Sequence, residues 1–295
     1  MPDPLVEAAP AKVNLTLRVF GRRADGYHEL ESLVVFAGCG DTLRLAPGGE
    51  LSLAVAGPSA ALAGDNADNL VLKAARALAV RSPGITLGAF ALDKQLPVAA
   101  GLGGGSADAA AALRLIARAN GLAADAPRFY EAARATGADV SVCLDPRPRV
   151  MRGIGELLSE PLDLPPLPAV LVNPGVAVPT REVFAGWKPQ GAALPLDQAA
   201  LSKLKSRELV LQFLTLQAND LEKPAIAVAP VIAKVLAALR ELPGCALARM
   251  SGSGATCFAL FGSAAEAMNG AGALHASYPQ WWVSATAFGG SEARK

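Results

Sequence analysis

The chain contains few of the residues that metal-binding and disulfide-bonded proteins need. Its 295 residues include only four cysteines and two histidines, and no two cysteines form a Cys-x-x-Cys pair. This scatter predicts neither a zinc site nor a disulfide framework. We therefore expect buried cysteine thiols in a reducing cytoplasm.

Strong charge and long apolar runs are missing as well. The formal net charge is +1, without a large basic block, which argues against a nucleic-acid groove and an electrostatic membrane anchor. No secretory leader is visible at the N-terminus, and the longest apolar stretch, residues 226–239, contains Pro230 and Lys234. That stretch is too short to span a bilayer. We expect a cytoplasmic protein without nucleic-acid or membrane partners, and its oligomeric state stays open.

The hydrophobic content is high enough for a sizeable core. Hydrophobic residues make up 52% of the chain, although many are alanine. The length suggests two domains, and a proline cluster at residues 161–168 favours a boundary just before it. We predict an N-terminal nucleotide-binding domain, residues 1–158, and a C-terminal α/β domain on the substrate side, residues 159–295.

Hydrophobic periodicity predicts strands and helices that are mixed along the chain. Strands are predicted at residues 9–20, 32–37, 41–45, 51–55, 85–92, 169–173 and 281–288, and on both sides of a Gly-Ser loop at 251–256. Helices are predicted at residues 69–80, after Ser106, and at 129–135, 180–187, 209–216, 224–239 and 263–277. Asp68 or Asn69 is the expected cap of the first helix, and Arg114 and Arg118 are expected to face solvent on the second.

The most informative stretch is residues 97–112, where four glycines precede a serine and a run of alanines. A glycine-rich loop that leads into a helix exposes backbone N–H groups at the positive end of the helix dipole, and such a junction binds phosphate. No Gly-Lys-Ser/Thr follows, so the loop is not a P-loop. A Rossmann site is disfavoured, because Asp125, at the distance of a ribose-binding acid, lies in a loop-like segment.

Several polar residues have two readings from the sequence alone. Lys12 and Asn14 share the polar face of the first strand, which is either solvated or part of a site. The pair Tyr27 and His28 is either structural or able to stack on a planar base. Asp139 precedes a short apolar run, where an aspartate is often a helix cap.

Five collinear motifs resemble one family of kinases. They are Ala-Lys-Val-Asn-Leu at residues 11–15, Arg-Ala-Asp-Gly-Tyr-His-Glu-Leu at 23–30, Leu-Pro with Ala-Gly-Leu-Gly-Gly-Gly-Ser at 96–106, Gly-Ala-Asp-Val at 137–140 and Met-Ser-Gly-Ser-Gly-Ala-Thr at 250–256. Together they resemble the galactokinase, homoserine kinase, mevalonate kinase and phosphomevalonate kinase (GHMP) superfamily. Within it, they are most similar to the family that phosphorylates 4-diphosphocytidyl-2-C-methyl-D-erythritol.

The resemblance implies a two-lobed α+β fold with the active site between the lobes. It implies ATP-dependent phosphorylation of the substrate's 2-hydroxyl, a step of the non-mevalonate route to isoprenoid precursors, with a cytidine diphosphate moiety on the substrate. Mg²⁺ is expected with ATP, although no motif fixes its ligands. The alternatives are a kinase of the same fold that acts on another small alcohol or phosphomonoester, and a non-catalytic nucleotide-binding protein. A Rossmann oxidoreductase is the remote option.

The resemblance also assigns roles to individual residues. Lys12 and Asp139 would be catalytic, with Asp139 accepting the hydroxyl proton. The ATP-binding residues would be Pro97, Val98, Ala99, Ala100, Gly101, Leu102, Gly103, Gly104, Gly105, Ser106 and Ala107, with Lys94 and Asn69 near the adenosine. The substrate-binding residues would be Asn14, Tyr27, His28, Phe184, Ser251, Gly252, Ser253, Gly254 and Thr256. Ser106 is a candidate metal ligand, but Ala107 stands where many relatives have a second serine, and this departure weakens the case for side-chain coordination. Asp108 is expected to stabilise the N-terminus of the following helix.

Overall fold

A computed structural model of the chain describes residues 4–64, 68–189 and 194–289. The chain forms two compact units, each built from several segments. Unit 1 comprises Met1–Ala11, Gly40–Val98 and Gly103–Pro146, and unit 2 comprises Lys12–Cys39, Ala99–Leu102 and Arg147–Lys295. This division reflects spatial contact, and the boundary expected after residue 158 stays a prediction.

Strands and helices are mixed along the described chain, so the α+β class is confirmed. The strands are β1 Leu5–Asn14, β2 Arg18–Arg22, β3 His28–Pro47, β4 Ser52–Ala56, β5 Gly88–Asp93, β6 Arg149–Gly153, β7 Leu157–Leu158, β8 Leu167–Asn173, β9 Cys245–Met250, β10 Cys257–Phe261 and β11 Trp282–Phe288. The helices are α1 Leu70–Arg81, α2 Gly104–Ala119, α3 Pro127–Thr136, α4 Val140–Cys143, α5 Thr180–Gly186, α6 Gln198–Ser202, α7 Arg207–Thr215, α8 Glu222–Val228, α9 Val231–Arg240 and α10 Ala264–Ser277.

Unit 1 combines a small mixed sheet with a helical layer. Strand β5 pairs in parallel with β4 and antiparallel with residues 42–47 of β3. Helix α1 packs against α2 and α3, and α2 also packs against α4. The start of α1 is fixed by Asn69, whose side-chain oxygen accepts a hydrogen bond from the backbone N–H of Val71 at 2.9 Å.

Helix α2 is buried on almost its whole circumference, because alanine lets neighbouring elements approach closely. Residues 107–113 and 115–117 are all buried. The sequence pattern predicted that Arg114 and Arg118 both face solvent, and for Arg114 this is wrong. Its side chain is only 13% exposed and pairs with Glu7, whereas Arg118 is 51% exposed.

Unit 2 contains an antiparallel sheet in the order β11, β8, β10, β9. Helix α10 packs on β11 and β8, while α9 packs on β9 and β10. Residues 28–34 of β3 form a second antiparallel group with β2 and β6. The unit's buried cluster includes Val170, Ile232, Leu236 and Phe261.

Three predictions of element boundaries were wrong. The strands predicted at residues 32–37 and 41–45 are one continuous strand, β3, and the strand predicted at 9–20 divides into β1 and β2. The single helix predicted at 224–239 is two helices, since Pro230 lacks an N–H and its ring would clash with a preceding carbonyl. Strand β6 was not predicted, because Pro146 and Pro148 directly precede it and indicate a break in the chain.

All four cysteines are present as thiols, as predicted, but only Cys143 and Cys257 are buried. Among the described residues, no helix combines the length and the apolar character needed to cross a membrane.

Candidate active site

The glycine-rich segment ends in the first turn of α2. The helix begins at Gly104, earlier than predicted, because Gly103 has a left-handed conformation with φ 59° that turns the chain into it. Ser106 and Ala107 therefore lie within the helix. Its first backbone N–H groups have no intrahelical acceptor, and the residue at the cap position, Gly103, has no side chain to bond them. These donors are suited to phosphate oxygens, and the ATP role of the segment stays a prediction.

A buried ion cluster lies beside this helix start, within unit 1. The ammonium of Lys94 is 2.5 Å from Asp41 Oδ2 and 2.6 Å from Asp108 Oδ2. At most 5% of each of these side chains is exposed. The other oxygen of Asp41 accepts hydrogen bonds from the backbone N–H groups of Gln95 at 2.6 Å and Leu96 at 2.8 Å. One carboxylate thus holds both the lysine and the turn that follows it.

The cluster changes the interpretation of two residues. Burial lowers the pKa of Lys94, but the two carboxylates outweigh burial and the net pKa is raised. Burial raises the pKa of Asp108 to about 7, against the opposing effect of Lys94. The expectation that Asp108 stabilises the helix N-terminus was wrong, because its carboxylate pairs with the lysine. Lys94 and Asn69 were predicted to lie near the adenosine. In the structure Lys94 forms these ion pairs and Asn69 caps α1, and their contact with adenosine stays a prediction.

In unit 2, the loop at residues 251–256 is bonded to residues 100 and 101. The hydroxyl of Ser251 donates to the carbonyl of Gly101 at 2.9 Å, and the N–H of Thr256 donates to the carbonyl of Ala100 at 3.1 Å. A Cβ on Gly101 would lie 2.6 Å from the Ser251 carbonyl oxygen, so only glycine fits there. Ser251 and Thr256 are fully buried. Their side chains therefore hold the loop, and Gly252 and Ser253 are its partly exposed residues. Substrate binding by this loop stays a prediction.

The polar face of β1 is buried, which excludes the interpretation of Lys12 and Asn14 as residues of a solvated outer face. Lys12 and Asn14 are each only 4% exposed. The backbone N–H of Lys12 donates to the carbonyl of Leu102 at 2.8 Å, and the Asn14 amide donates to Ser32 Oγ at 2.7 Å. The Asn14 side-chain oxygen is buried without a hydrogen-bond partner among the described residues. A buried acceptor of this kind is suited to a hydroxyl group of a ligand.

Asp139, in unit 1, stands at the N-terminal position of α4. Its backbone is helical, with φ −82° and ψ −9°, and within the described chain its side chain makes no capping hydrogen bond. Typical capping residues have extended backbone and bond to the helix N–H groups. The geometry therefore speaks against the cap reading, and the catalytic role stays a prediction.

The residues expected to hold the cytosine ring form an aromatic group in unit 2. The ring of His28 stacks on Phe184 with centroids 4.8 Å apart, and Trp187 meets His28 edge-on at 5.9 Å. Tyr27 is 60% exposed beside them in the chain. Burial and the nearby Arg22 charge lower the pKa of His28, so its imidazole is neutral at pH 7.

The sequence analysis missed Trp187 and Asp41. Trp187 lies about one helical turn after Phe184, and this spacing was the available signal. Asp41 opens the strand predicted at residues 41–45, and its side chain is buried, a position that calls for a partner.

The described residues contain no group of three or more histidine, cysteine or acidic side chains that could hold a metal ion. Magnesium that accompanies ATP keeps several waters and phosphate oxygens as ligands, so it needs few protein side chains. The Ser106 hydroxyl in the first turn of α2 fits that limited requirement, and Ala107 offers no donor atom.

Comparison with known proteins agrees with this arrangement. Residues 69–145 match the model of the GHMP kinases N terminal domain, and residues 198–280 match the GHMP kinases C terminal domain. A curated 4-diphosphocytidyl-2-C-methyl-D-erythritol kinase of Rhodopseudomonas palustris (strain ATCC BAA-98 / CGA009) is 59% identical over 291 residues, covering 95% of this chain and 96% of the relative. The enzyme of the same name from Xanthobacter autotrophicus (strain ATCC BAA-1158 / Py2) is 59% identical over 284 residues, covering 94% and 97%.

The chain belongs to the 4-diphosphocytidyl-2-C-methyl-D-erythritol kinase family. A solved structure titled 4-(cytidine 5'-diphospho)-2C-methyl-D-erythritol kinase is also similar, with a TM-score of 0.77 and 34% identity, covering 97% of this chain and 100% of that one. The predicted GHMP-kinase fold is therefore confirmed, and so is the predicted class of enzyme, a small-molecule phosphotransferase. Membership of this kinase family implies the use of ATP.

Proposed function

We propose that this chain transfers the γ-phosphoryl group of ATP to the 2-hydroxyl of 4-diphosphocytidyl-2-C-methyl-D-erythritol. One observation carries the proposal: 59% identity, over 95% of the chain, to a relative with that activity in its name. The reaction is a step of the non-mevalonate route to isoprenoid precursors. A cytoplasmic location stays a prediction from the sequence.

The reaction requires a stronger nucleophile than a neutral alcohol. We assign to Asp139 the acceptance of the hydroxyl proton, which contributes typically 10²–10⁴-fold to such reactions. The alcohol oxygen then bonds to the γ-phosphorus, the bond from that phosphorus to the β–γ bridging oxygen breaks, and ADP leaves. We assign to Lys12 the stabilisation of negative charge on the reacting oxygen.

Recognition of the substrate is assigned to unit 2. A neutral His28 has one ring nitrogen that donates and one that accepts a hydrogen bond, which suits the mixed donors and acceptors on the edge of cytosine. Phe184, Trp187 and Tyr27 supply aromatic surface for the base. Asn14, whose buried side-chain oxygen has no hydrogen-bond partner in the described part of the chain, is assigned a hydroxyl of the methylerythritol unit.

The phosphates of ATP are assigned to the backbone N–H groups at residues 101–106. Mg²⁺ bound to those phosphates supplies neutralisation of their negative charge when it is present. Ser106 is its candidate side-chain ligand. The remaining contribution of the loop is the positioning of the phosphate chain.

Product identification tests the proposal directly. The protein is incubated with Mg²⁺, ATP and 4-diphosphocytidyl-2-C-methyl-D-erythritol, and mass spectrometry with ³¹P NMR locates the new phosphate. We expect ADP and a product phosphorylated at the 2-hydroxyl. Phosphorylation of only other small alcohols in a parallel panel would favour the related kinase, and tight ATP binding without turnover would favour a non-catalytic protein.

A further inference from the structure

The Asp41–Lys94–Asp108 cluster connects the two flanks of the predicted phosphate-binding segment, residues 97–107. Lys94 follows the end of β5, directly before the segment, and Asp108 lies on α2, directly after it. The ammonium bridges the two flanks through bonds of 2.5 Å to Asp41 and 2.6 Å to Asp108. Asp41 also accepts the N–H groups of Gln95 and Leu96, so the turn between strand and loop is fixed as well.

The ammonium is buried against the beginning of α2. A Cβ added to Gly104 would lie 3.1 Å from Lys94 Nζ and 3.6 Å from Asp41 Oδ2. A cation at the positive end of a helix dipole is unfavourable by itself, and two carboxylates offset that cost. The geometry therefore favours an electrostatic clamp over a lysine that extends toward solvent.

The segment between the flanks needs such a clamp. Ala99, Gly101 and Gly103 all have positive φ, at 53°, 76° and 59°, and glycine-rich chain loses much conformational entropy when it is ordered. A loop that is ordered before its ligand arrives binds that ligand more tightly.

We propose that Asp41, Lys94 and Asp108 are positioning residues that preset the phosphate-binding segment for ATP without touching the nucleotide. The inference rests on the proposed kinase function for its physiological meaning. The three side chains of the cluster all lie within unit 1.

Asp108→Asn separates this role from direct contact between Lys94 and ATP. The substitution keeps the shape of the side chain and leaves Lys94 in place. If Lys94 binds the nucleotide, removing a competing carboxylate should leave ATP affinity unchanged or increase it. If the cluster positions the loop, ATP affinity should fall about tenfold, because the connection to α2 is weakened.

The experiment measures Mg·ATP binding without the alcohol substrate, by competition with a fluorescent ATP analogue at pH 8, where Asp108 is mostly ionised. Asp93→Asn is the matched control: this neighbouring aspartate bonds to the Gln95 side chain and lies outside the cluster. We expect the control to stay within twofold of the unmodified protein. In steady-state assays of Asp108→Asn, the KM for ATP should rise about tenfold and the KM for the alcohol should stay within twofold.

A purely structural role predicts a different pattern, a lower melting temperature with unchanged ATP affinity. Lys94→Met and the double variant Lys94→Met/Asp108→Asn complete the set, and we expect the double variant to bind ATP no more weakly than Lys94→Met alone. Unchanged or tighter ATP binding by Asp108→Asn would overturn the inference. The binding assay needs no product, so a protein inactive on the cytidine substrate would count against the proposed function alone.

Discussion

Asp139 differs from an ordinary capping aspartate in its backbone conformation, which is helical, with φ −82° and ψ −9°. We predict that Asp139→Asn lowers kcat by about 10²–10⁴-fold, because the amide cannot accept the hydroxyl proton. ATP binding should change little, and the melting temperature should stay near that of the unmodified protein. If Asp139 were only a cap, Asp139→Asn would leave both stability and kcat nearly unchanged, because asparagine caps helices about as well as aspartate does, and that result would refute the assignment.

Asp108 makes stability depend on pH in an unusual direction. Its pKa is raised from 3.8 to about 7 in the folded chain, so between these values the folded state binds more protons than the unfolded state. Stability from this group is therefore greatest below pH 4 and is lost as the pH rises through 7, by at most about 4 kcal/mol. The charged groups facing it are Lys94, which stays charged because its pKa is raised, and Asp41.

We predict that Asp108→Asn removes this dependence. Urea unfolding of both proteins at pH 5 and pH 8 should show the variant gaining stability relative to the unmodified protein as the pH rises. A difference that is the same at both pH values would mean that Asp108 titrates normally.

At the scale of elements, Arg114 joins three parts of unit 1. From α2, its guanidinium donates to Glu7 at 2.9 Å and to the carbonyl of Ala8 at 2.7 Å, both on β1, and to the carbonyl of Cys143 at the end of α4 at 2.6 Å. Because α4 follows Asp139, the same bonds hold the element that carries the proposed base.

We predict that Arg114→Met destabilises the protein by about 2–4 kcal/mol, since it leaves a half-buried carboxylate and two carbonyls without this donor. The control is Arg118→Met, one helical turn away, where a half-exposed pair with the same Glu7 should contribute less than about 1 kcal/mol. Denaturant unfolding measures both changes. Equal effects would show that Arg114 is not the structural link.

The approach of residue 101 to the loop at 251–256 depends on the absence of a side chain. Gly101 has φ 76°, and a Cβ there would meet the backbone oxygens of Ser251 at 2.6 Å and Gly254 at 2.8 Å. We predict that Gly101→Ala displaces that loop and abolishes most of the activity, because rigid backbone cannot move aside cheaply.

Gly121→Ala is the matched control for this change. Gly121 has a similar φ of 61°, and no heavy atom of the described chain outside its immediate neighbours lies within 4 Å of its Cβ position. It should therefore lose about 1 kcal/mol from backbone strain and keep its activity. If both variants were equally active, close approach at Gly101 would not be essential.

At the scale of the whole molecule, the confirmed kinase family predicts selective stabilisation by its nucleotide. Mg·ATP at 100 times its Kd should stabilise the folded protein by about 2.7 kcal/mol, because the ligand binds the folded state alone. NADPH at the same concentration should produce no shift, since the glycine-rich segment lacks the features of a dinucleotide site. Differential scanning fluorimetry with each ligand distinguishes the two, and stabilisation by NADPH alone would revive the Rossmann alternative.

The sequence by itself determined the local structure and the family. Periodicity located most strands and helices, Asp68 or Asn69 was the expected cap of α1, and five collinear motifs indicated the kinase family before any contact was known. These features are local or linear, so they are readable from spacing and residue type. The family resemblance, not the local pattern, placed Phe184 and His28 in one predicted binding group, and in the structure their rings stack at 4.8 Å.

Only the tertiary structure decided which polar residues serve the fold and which are available to a ligand. Lys94, Asp41 and Asp108 are far apart in the chain, and their buried cluster exists because β3, β5 and α2 meet in unit 1. Contacts between distant segments also largely bury Arg114, which the helical pattern placed in solvent. They engage the Ser251 hydroxyl as well, which donates a hydrogen bond to the Gly101 carbonyl and accepts one from the Asn14 N–H. Burial and ion pairing depend on contacts between distant segments, and a one-dimensional pattern carries no information about those contacts.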